Sequence, residues 1–146
     1  MSLFVLETDI LTLYREGHET VCKKVHACPT EELAITVITV EEQLSGWYAL
    51  LRQVKKPHEV SHAYDRLGDS VRFLATWRIL NYPEGTLNRF EKLKAMKLNV
   101  ASQDLRIAAI TLENNGILVT RNLRDFQRVP NLVVENWASE QSVPTV

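Results

Sequence analysis

Five side chains that could bind a metal ion lie at predicted strand-to-helix junctions, far apart along the chain. They are Glu7, Glu42, Asp104, Asn122 and Asp125. Carboxylate and amide oxygens suit a hard ion such as Mg²⁺ or Mn²⁺ better than they suit zinc. Carboxylates gathered in one pocket repel each other and are costly to desolvate unless a cation neutralises them. The sequence therefore predicts a divalent-metal site formed by distant segments.

Each acid also has a purely structural explanation. An acid near a helix N-terminus is favoured by the helix dipole by about 0.3–1 kcal/mol. Glu42 follows Thr39 at the spacing of the capping box, in which the two side chains close the first turn of a helix. This explanation is sufficient for one acid. Four acidic or amide junctions in one chain favour the metal site.

The elements that would position these residues alternate between strand and helix. Short apolar runs predict strands at 3–6, 33–37, 78–80, 117–120 and 132–134. Helical spacing predicts one helix capped by Thr8 or Asp9 and others that span 19–27, 40–54, 58–75, 83–96 and 104–116. This order predicts an α/β domain with a mainly parallel sheet. Since ligands bind outside the carboxyl ends of such strands, the five side chains are expected at one edge.

The composition limits the class of protein. A chain of 146 residues fits one domain, expected at 1–137, with a loose polar tail at 138–146. The net charge of −1 provides no general attraction to nucleic acid or to an anionic membrane. No apolar run approaches the roughly 18–20 residues that span a bilayer, and no signal peptide is evident, so a soluble cytoplasmic protein is expected. Cys22 and Cys28 are expected to be free thiols.

Four segments also resemble the successive motifs of a known family. They are Glu7-Thr8-Asp9-Ile10-Leu11, 35–42 (ITVITVEE), 104–109 (DLRIAA) and 118–126 (LVTRNLRDF). In this order they are similar to the motifs of PIN domains, and most of all to VapC-type toxins of bacterial toxin–antitoxin pairs. The closing 134–137 (VENW) resembles the ending of those proteins. The resemblance covers nearly the whole chain.

The resemblance implies a PIN-like α/β/α fold and a Mg²⁺- or Mn²⁺-dependent endoribonuclease. It also implies inhibition by a cognate antitoxin and a homodimer. The residues it assigns to metal binding and catalysis are Glu7, Glu42 and Asp104, with Asn122 or Asp125 in the fourth place. It assigns supporting roles to Thr8, Asp9 and Thr120. The arginines near this edge that could bind RNA phosphates are Arg106, Arg121, Arg124 and Arg128.

One position departs from the family pattern. Glu7 stands where the family has Asp, and its longer side chain places the carboxylate about 1.5 Å further out. Because Mg²⁺ tolerates geometric error poorly, an error of ~1 Å can reduce a rate on the order of 10²-fold. Glu7 is therefore consistent with an active enzyme whose backbone adjusts, or with a weakened or inactive one. Asp9, two residues later, could compensate.

Two other functions are open at this point. The segment His58-Glu59-Val60-Ser61-His62 matches HExxH, in which two histidines hold Zn²⁺ and the Glu is a general base. The segment follows Lys55-Lys56-Pro57 at a helix start that is expected to be exposed. The HExxH motif of a zincin is buried instead. The second alternative is a PIN-fold module that binds an antitoxin or RNA without cleaving it. Its binding surface would be the helix pair 42–75, which carries the aromatic and apolar residues Trp47, Tyr48, Leu51 and Tyr64.

Overall fold

The computed structural model of the chain describes residues 2–139, so most of the predicted tail, from residue 140 onward, lies outside the described residues. Within that range, five strands alternate with seven α-helices and one 3₁₀ turn at Thr30–Glu32. The strands are β1 Phe4–Leu6, β2 Leu33–Thr36, β3 Ile79–Leu80, β4 Ile117–Val119 and β5 Val133–Glu135. The helices are α1 Thr8–Arg15, α2 Glu19–His26, α3 Val37–Gln53, α4 Pro57–Ala75, α5 Glu84–Ala95, α6 Ser102–Glu113 and α7 Leu123–Phe126.

The strands form one sheet in the order β3-β2-β1-β4-β5. Every neighbouring pair is parallel, and Val5 of β1 pairs with Ala34 on one side and with Leu118 on the other. The chain adds β2 and β3 to one side of β1 and then β4 and β5 to the other. The direction therefore switches between β1 and β4, which is where open parallel sheets form ligand crevices at their carboxyl ends. The prediction of a parallel α/β sheet is confirmed.

Side chains of the short strands alternate between two cores, as strand geometry requires. Val5 and Leu118 belong to a core that includes Phe90 of α5 and Phe126 of α7. Their strand neighbours Leu6 and Val119 belong to the opposite core, with buried residues of α1, α2 and α4, namely Ile10, Leu11, Val21, Val25 and Leu74. The molecule thus has three layers, helix, sheet and helix. Both faces of the sheet are covered, which explains why its strands are continuous apolar runs.

Three helix starts that concern the candidate site differ from the predicted ones, while α4 and α5 each begin one residue away from prediction. The prediction that Thr39 caps α3 and forms a capping box with Glu42 is wrong, because α3 begins at Val37 and its N-cap is Thr36. The Thr36 hydroxyl accepts the Thr39 N–H at 3.1 Å, so the last residue of β2 is also the cap of α3. Glu7 rather than Thr8 or Asp9 caps α1. Helix α6 begins at Ser102, so that Asp104 lies in its first turn.

Helix α7 was not predicted, since its four residues are too few to show a helical period. Its N-cap is Asn122, whose side chain accepts the Asp125 N–H. Cys22 and Cys28 are free and half-buried, as expected. Among the helices of residues 2–139, none combines the length and the apolar character needed to cross a membrane.

Candidate active site

Acidic side chains from four elements lie at the carboxyl edge of the sheet. Glu7 follows β1, Glu42 lies in the second turn of α3, Asp104 in the first turn of α6, and Asp125 in α7. Partial burial raises the pKa of Asp104, and the nearby charges of Glu42, Asp125 and Asp9 raise it further. Asp104 therefore lies within reach of the charges of these three acids. The prediction that the acids form one metal site stays a prediction.

Glu7 is the most buried member of the cluster, with 9% of its surface exposed. Its Oε2 accepts the N–H of Asp9 at 2.9 Å, so its carboxylate closes the first turn of α1. Burial raises the pKa of Glu7 to about 9, and the Asp9 side chain contributes to that rise while the bond from the Asp9 N–H opposes it. Glu7 therefore acts as a helix cap in addition to being an acid of the site.

Glu42 is oriented by two threonines from different elements. The Thr8 hydroxyl donates to Glu42 Oε1 at 2.6 Å. The same hydroxyl lies 3.0 Å from the hydroxyl of Thr39, which is fully buried. Because Thr8 has one proton and uses it on Glu42, Thr39 must be the donor of the second bond. A relay from Thr39 through Thr8 thus fixes one carboxylate oxygen of Glu42.

Asp9 has one satisfied and one unsatisfied carboxylate oxygen. Its Oδ2 accepts the backbone N–H of Arg121 at 3.1 Å and lies 3.6 Å from the Nε of the same residue. Its Oδ1 is buried and has no hydrogen-bond partner within residues 2–139. A buried carboxylate oxygen without a donor is unfavourable unless something positive meets it. The burial of Asp9 Oδ1 therefore costs free energy unless a positively charged or donor group meets it.

The segment after β4 forms a compact network of its own. Thr120 is fully buried and its hydroxyl accepts the N–H of Asn122 at 3.0 Å. The Asn122 amide donates to Asp125 Oδ2 at 3.1 Å, and Arg128 donates to Asp125 Oδ1 at 3.2 Å. The supporting role predicted for Thr120 has a physical basis here, because this hydroxyl shapes the turn that presents Asn122 and Asp125.

Three of the four predicted phosphate-binding arginines already contact protein groups. Arg106 donates to Gln103 and lies over the ring of Phe90 at 4.7 Å. Arg128 binds Asp125 and the carbonyl of Asn99, while Arg121 binds Asp9. Arg124 is exposed on α7. The side chain that is least committed to the fold is therefore that of Arg124.

The donor chemistry of the cluster suits a hard divalent cation, since all its candidate ligands are oxygens. The orphaned Oδ1 of Asp9 is a further point in favour. As the side chains stand, however, no three His, Cys, Asp or Glu residues of the described chain are grouped closely enough to hold an ion. Glu7, Glu42 and Asp125 are each hydrogen-bonded to a different protein donor.

The HExxH segment, unlike the partly buried acids, lies on an exposed helix start. His58 and His62 are exposed in the first turns of α4, and Pro57 is its first residue. No third metal-binding side chain completes a group with them in the part of the chain that the structure describes. The exposed helix start that the sequence indicated is present, and a buried zinc site of the zincin type is not formed by the described residues.

A small groove lies beside these acids, and a larger cavity lies away from them. A groove of about 300 Å³ runs along α3 and is lined by Glu42, Gln43, Gly46, Trp47 and Leu50. A larger cavity of about 640 Å³ is lined by Tyr14, Phe73, Trp77 and Arg78 among others. Arg78 precedes β3, so this larger cavity lies at the amino ends of the strands, away from the acid cluster. Size alone therefore does not identify the site.

Sequence reasoning missed two contacts that organise the site. Thr39 was interpreted as a helix cap, whereas its side chain supports Glu42 through Thr8. The bond between Asp9 and Arg121 joins residues 112 positions apart, so no local pattern could indicate it. A weak signal existed for Thr39, because a threonine buried in the first turn of a helix needs a partner for its hydroxyl.

Comparisons with known proteins agree with this geometry. No protein-family model matches the chain. A 46-residue segment is 41% identical to ribonuclease VapC2 of Rickettsia felis, over 32% of this chain and 34% of that protein. Ribonuclease VapC1 of Haemophilus influenzae strain R2866 is 24% identical over 142 residues, which cover 92% of this chain and 98% of that one.

The fold has a counterpart among solved structures. The DNA-bound VapBC structure from Salmonella typhimurium aligns with a TM-score of 0.75 and 22% identity, over 94% of this chain and 99% of the matched chain. At that identity the likeness concerns the fold, which is the same three-layer arrangement around a parallel sheet. The chain is thus similar in sequence to two VapC ribonucleases and has the fold of a solved VapBC structure.

Proposed function

We propose that this chain is a divalent-metal-dependent endoribonuclease that acts in the cytoplasm as the toxin of a toxin–antitoxin pair. The observation that carries the proposal is the convergence of Glu42, Asp104, Asp125 and the two acids after β1 at one edge of the sheet. The relatives VapC1 and VapC2 are named as ribonucleases, which supports RNA as the substrate.

The residues that would hold the cation are Glu42, Asp104, Asp125 with Asn122, and an acid of the β1 junction. When bound, Mg²⁺ or Mn²⁺ would supply an activated water and would stabilise charge on the phosphoryl oxygens. The protein orients the side chains that would bind the cation. Thr8 and Thr39 fix Glu42, and the Thr120 turn fixes the segment that carries Asp125. Arg124 is placed to bind an RNA phosphate, since its side chain is exposed on α7 beside Asp125.

The antitoxin partner is proposed from the solved relatives, one of which is a VapBC complex. The surface suited to it is the helix pair formed by α3 and α4, where Tyr48 is 46% exposed and Tyr64 is 59% exposed. The groove lined by Trp47 and Leu50 lies on α3 and reaches Glu42. A partner segment seated there would cover apolar surface and obstruct the acids at the same time.

One observation favours a second candidate, the binding module without cleavage. The Glu7 carboxylate is used as the cap of α1, and its raised pKa keeps it protonated at neutral pH without a cation. A site that depended on Glu7 as a ligand would then bind a cation more weakly. This candidate makes the same prediction about antitoxin binding and the opposite one about RNA cleavage.

The experiment that separates the two is cleavage of a mixed RNA pool by the purified full chain, with Mg²⁺ or Mn²⁺ and with EDTA. The endoribonuclease predicts cleavage that EDTA abolishes. Asp104→Asn is expected to reduce the rate by at least ~100-fold, because the central acid of the cluster is lost. Asp65→Asn, on the exposed surface of α4, is the matched control and is expected to retain the rate.

Cleavage that is equal with and without EDTA would contradict metal dependence. No cleavage by the wild type and none by Glu7→Asp, with both proteins folded, would favour the binding module. Cleavage that survives Asp104→Asn would assign the activity to a contaminating nuclease or to another part of the protein.

A further inference from the structure

The end of α5 and the loop that follows it carry positive charge only. Residues 92–103 contain three lysines, Lys92, Lys94 and Lys97, and no acidic residue. All three lysines are exposed. None of them has a carboxylate within salt-bridge distance among residues 2–139. In a chain whose net charge is −1, this segment is therefore a local surplus of positive charge that no acid of the described chain pairs.

The packing of α5 against α6 decides where this segment lies. Arg89 in the middle of α5 binds Glu113, the last residue of α6, at 2.6 Å. Further along α5, the ammonium of Lys94 and the guanidinium of Arg106 lie 5.8 and 4.7 Å from the centroid of one ring, that of Phe90. The two helices are therefore antiparallel, and the end of α5 lies beside the start of α6.

The segment between the two helices borders the candidate site. Arg106 follows Asp104 by two residues at the start of α6. Arg128 donates to the carbonyl of Asn99 at 2.9 Å and to Asp125 Oδ1 at 3.2 Å, so it joins this segment to α7. Cations of α5, of α6 and of the residues after α7 thus lie beside Asp104 and Asp125.

Lysines near the end of a helix also have a structural explanation, because they lie at the negative end of the helix dipole. That explanation applies to Lys94, in the last turn of α5. It does not apply to Arg106, which lies near the positive end of α6, where the dipole gives a cation no stabilisation. Helix stability alone therefore does not explain why cations of two helices meet at this place.

We propose that Lys94, Lys97 and Arg106 form a surface that binds the phosphate backbone of RNA beside the acids of the candidate site. The inference rests on the proposed function for the identity of the ligand, whereas the surface itself needs no metal ion. Phosphates attract lysine and arginine whatever the base sequence, and each contact releases counterions, so binding weakens as salt rises. Lys92 is left out because residues two apart on a helix lie on different faces. A strand seated on Lys94 and Lys97 would lead toward Asp104.

The test is binding of a short fluorescein-labelled single-stranded RNA to the full chain, measured by fluorescence anisotropy between about 50 and 200 mM salt. EDTA is present, so that metal-dependent cleavage does not disturb the measurement. The variant Lys94→Gln/Lys97→Gln is compared with wild type and with Lys55→Gln/Lys56→Gln, which removes two exposed lysines from the turn between α3 and α4. That turn follows the end of α3, roughly 18 Å along its axis from Glu41, which contacts α6.

Lys94→Gln/Lys97→Gln is expected to weaken RNA binding at low salt by at least about 5-fold, for RNAs of different sequence alike. The slope of log Kd against log salt concentration should fall by about 1.4, at about 0.7 for each phosphate contact of a single strand. Lys94→Arg/Lys97→Arg, which keeps both charges, should retain the affinity of the wild type. Lys55→Gln/Lys56→Gln should stay within about 2-fold of the wild type.

An unchanged affinity and salt slope in Lys94→Gln/Lys97→Gln would overturn the inference. An equal loss in Lys55→Gln/Lys56→Gln would also overturn it, because the attraction would then depend on net charge and not on this surface. Absence of RNA binding in the wild type would overturn it as well, and binding of a labelled polyglutamate peptide instead would assign the surface to an acidic protein partner.

The inference and the proposed function can fail separately. RNA binding with the expected losses, but without cleavage when Mg²⁺ or Mn²⁺ is added to the wild type, would support the surface and contradict the nuclease. Metal-dependent cleavage that Lys94→Gln/Lys97→Gln retains in full, together with unchanged RNA binding, would overturn the surface and leave the nuclease standing.

Discussion

The Glu7 carboxyl group links the chemistry of the site to the stability of the protein. Burial raises its pKa from an ordinary value of 4.5 to about 9 in the folded state, and an unfolded chain restores the ordinary value. Between these two pKa values the folded state binds more protons than the unfolded state. The free energy of unfolding therefore falls as the pH rises through this window, by at most about 1.4 kcal/mol per pH unit for one proton.

This fall in the free energy of unfolding with rising pH gives a prediction for Glu7→Gln. In EDTA, the wild type should be less stable near pH 8 than near pH 6, and the variant should lose much of that difference because its amide does not titrate. Urea denaturation at the two pH values measures it. All other side chains are the same in the two proteins, so the comparison between proteins isolates Glu7. A variant that keeps the full pH dependence of the wild type would show that Glu7 is charged in the folded protein.

The candidate site acids could be selected from the sequence, and their hydrogen-bond partners could not. Glu7, Glu42, Asp104 and Asp125 were found because each lies at an expected junction, which is a local property. The bond between Asp9 and Arg121 depends on how β1 and β4 lie side by side, which is a property of the folded sheet.

At the scale of the element, caps decide where the functional side chains lie. Asn122 both caps α7 and donates to Asp125, so this four-residue helix depends on a single side chain. Asn122→Ala should lower the free energy of unfolding by about 1 kcal/mol, because the cap of α7 is lost. Asn122→Ser, which keeps a capping oxygen, should lose less. Equal unfolding midpoints for Asn122→Ala and wild type in urea would show that the cap does not hold α7.

Helix starts were the least predictable part of the elements. Two threonines three residues apart, Thr36 and Thr39, are both good caps, and the sequence pattern favoured the wrong one because Glu42 completed a capping box with Thr39. In the structure β2 ends at Thr36, so the helix begins directly after the strand. This shift places Glu42 one turn deeper in α3 and turns it from a cap candidate into a site residue. The strands, by contrast, agree with prediction to within one or two residues.

At the scale of the whole molecule, the arrangement of the sheet brings the acids together. The order β3-β2-β1-β4-β5 places β1 and β4 side by side, although their paired first residues, Phe4 and Ile117, are 113 positions apart in the sequence. Alternation of strands and helices was enough to predict a parallel sheet and one functional edge. It was not enough to predict the strand order, because that order depends on long-range packing against the two helical layers.

The central claim is that acids from four elements hold one divalent cation at this edge. The most direct test is a crystal structure of the wild type grown with Mn²⁺, with the anomalous scattering of the ion recorded. The account predicts an anomalous peak among Glu42, Asp104, Asp125 and an acid of the β1 junction, and loss of that peak in Asp104→Asn. A peak elsewhere, such as beside His58 and His62, or no peak at the cluster in crystals saturated with Mn²⁺, would contradict it.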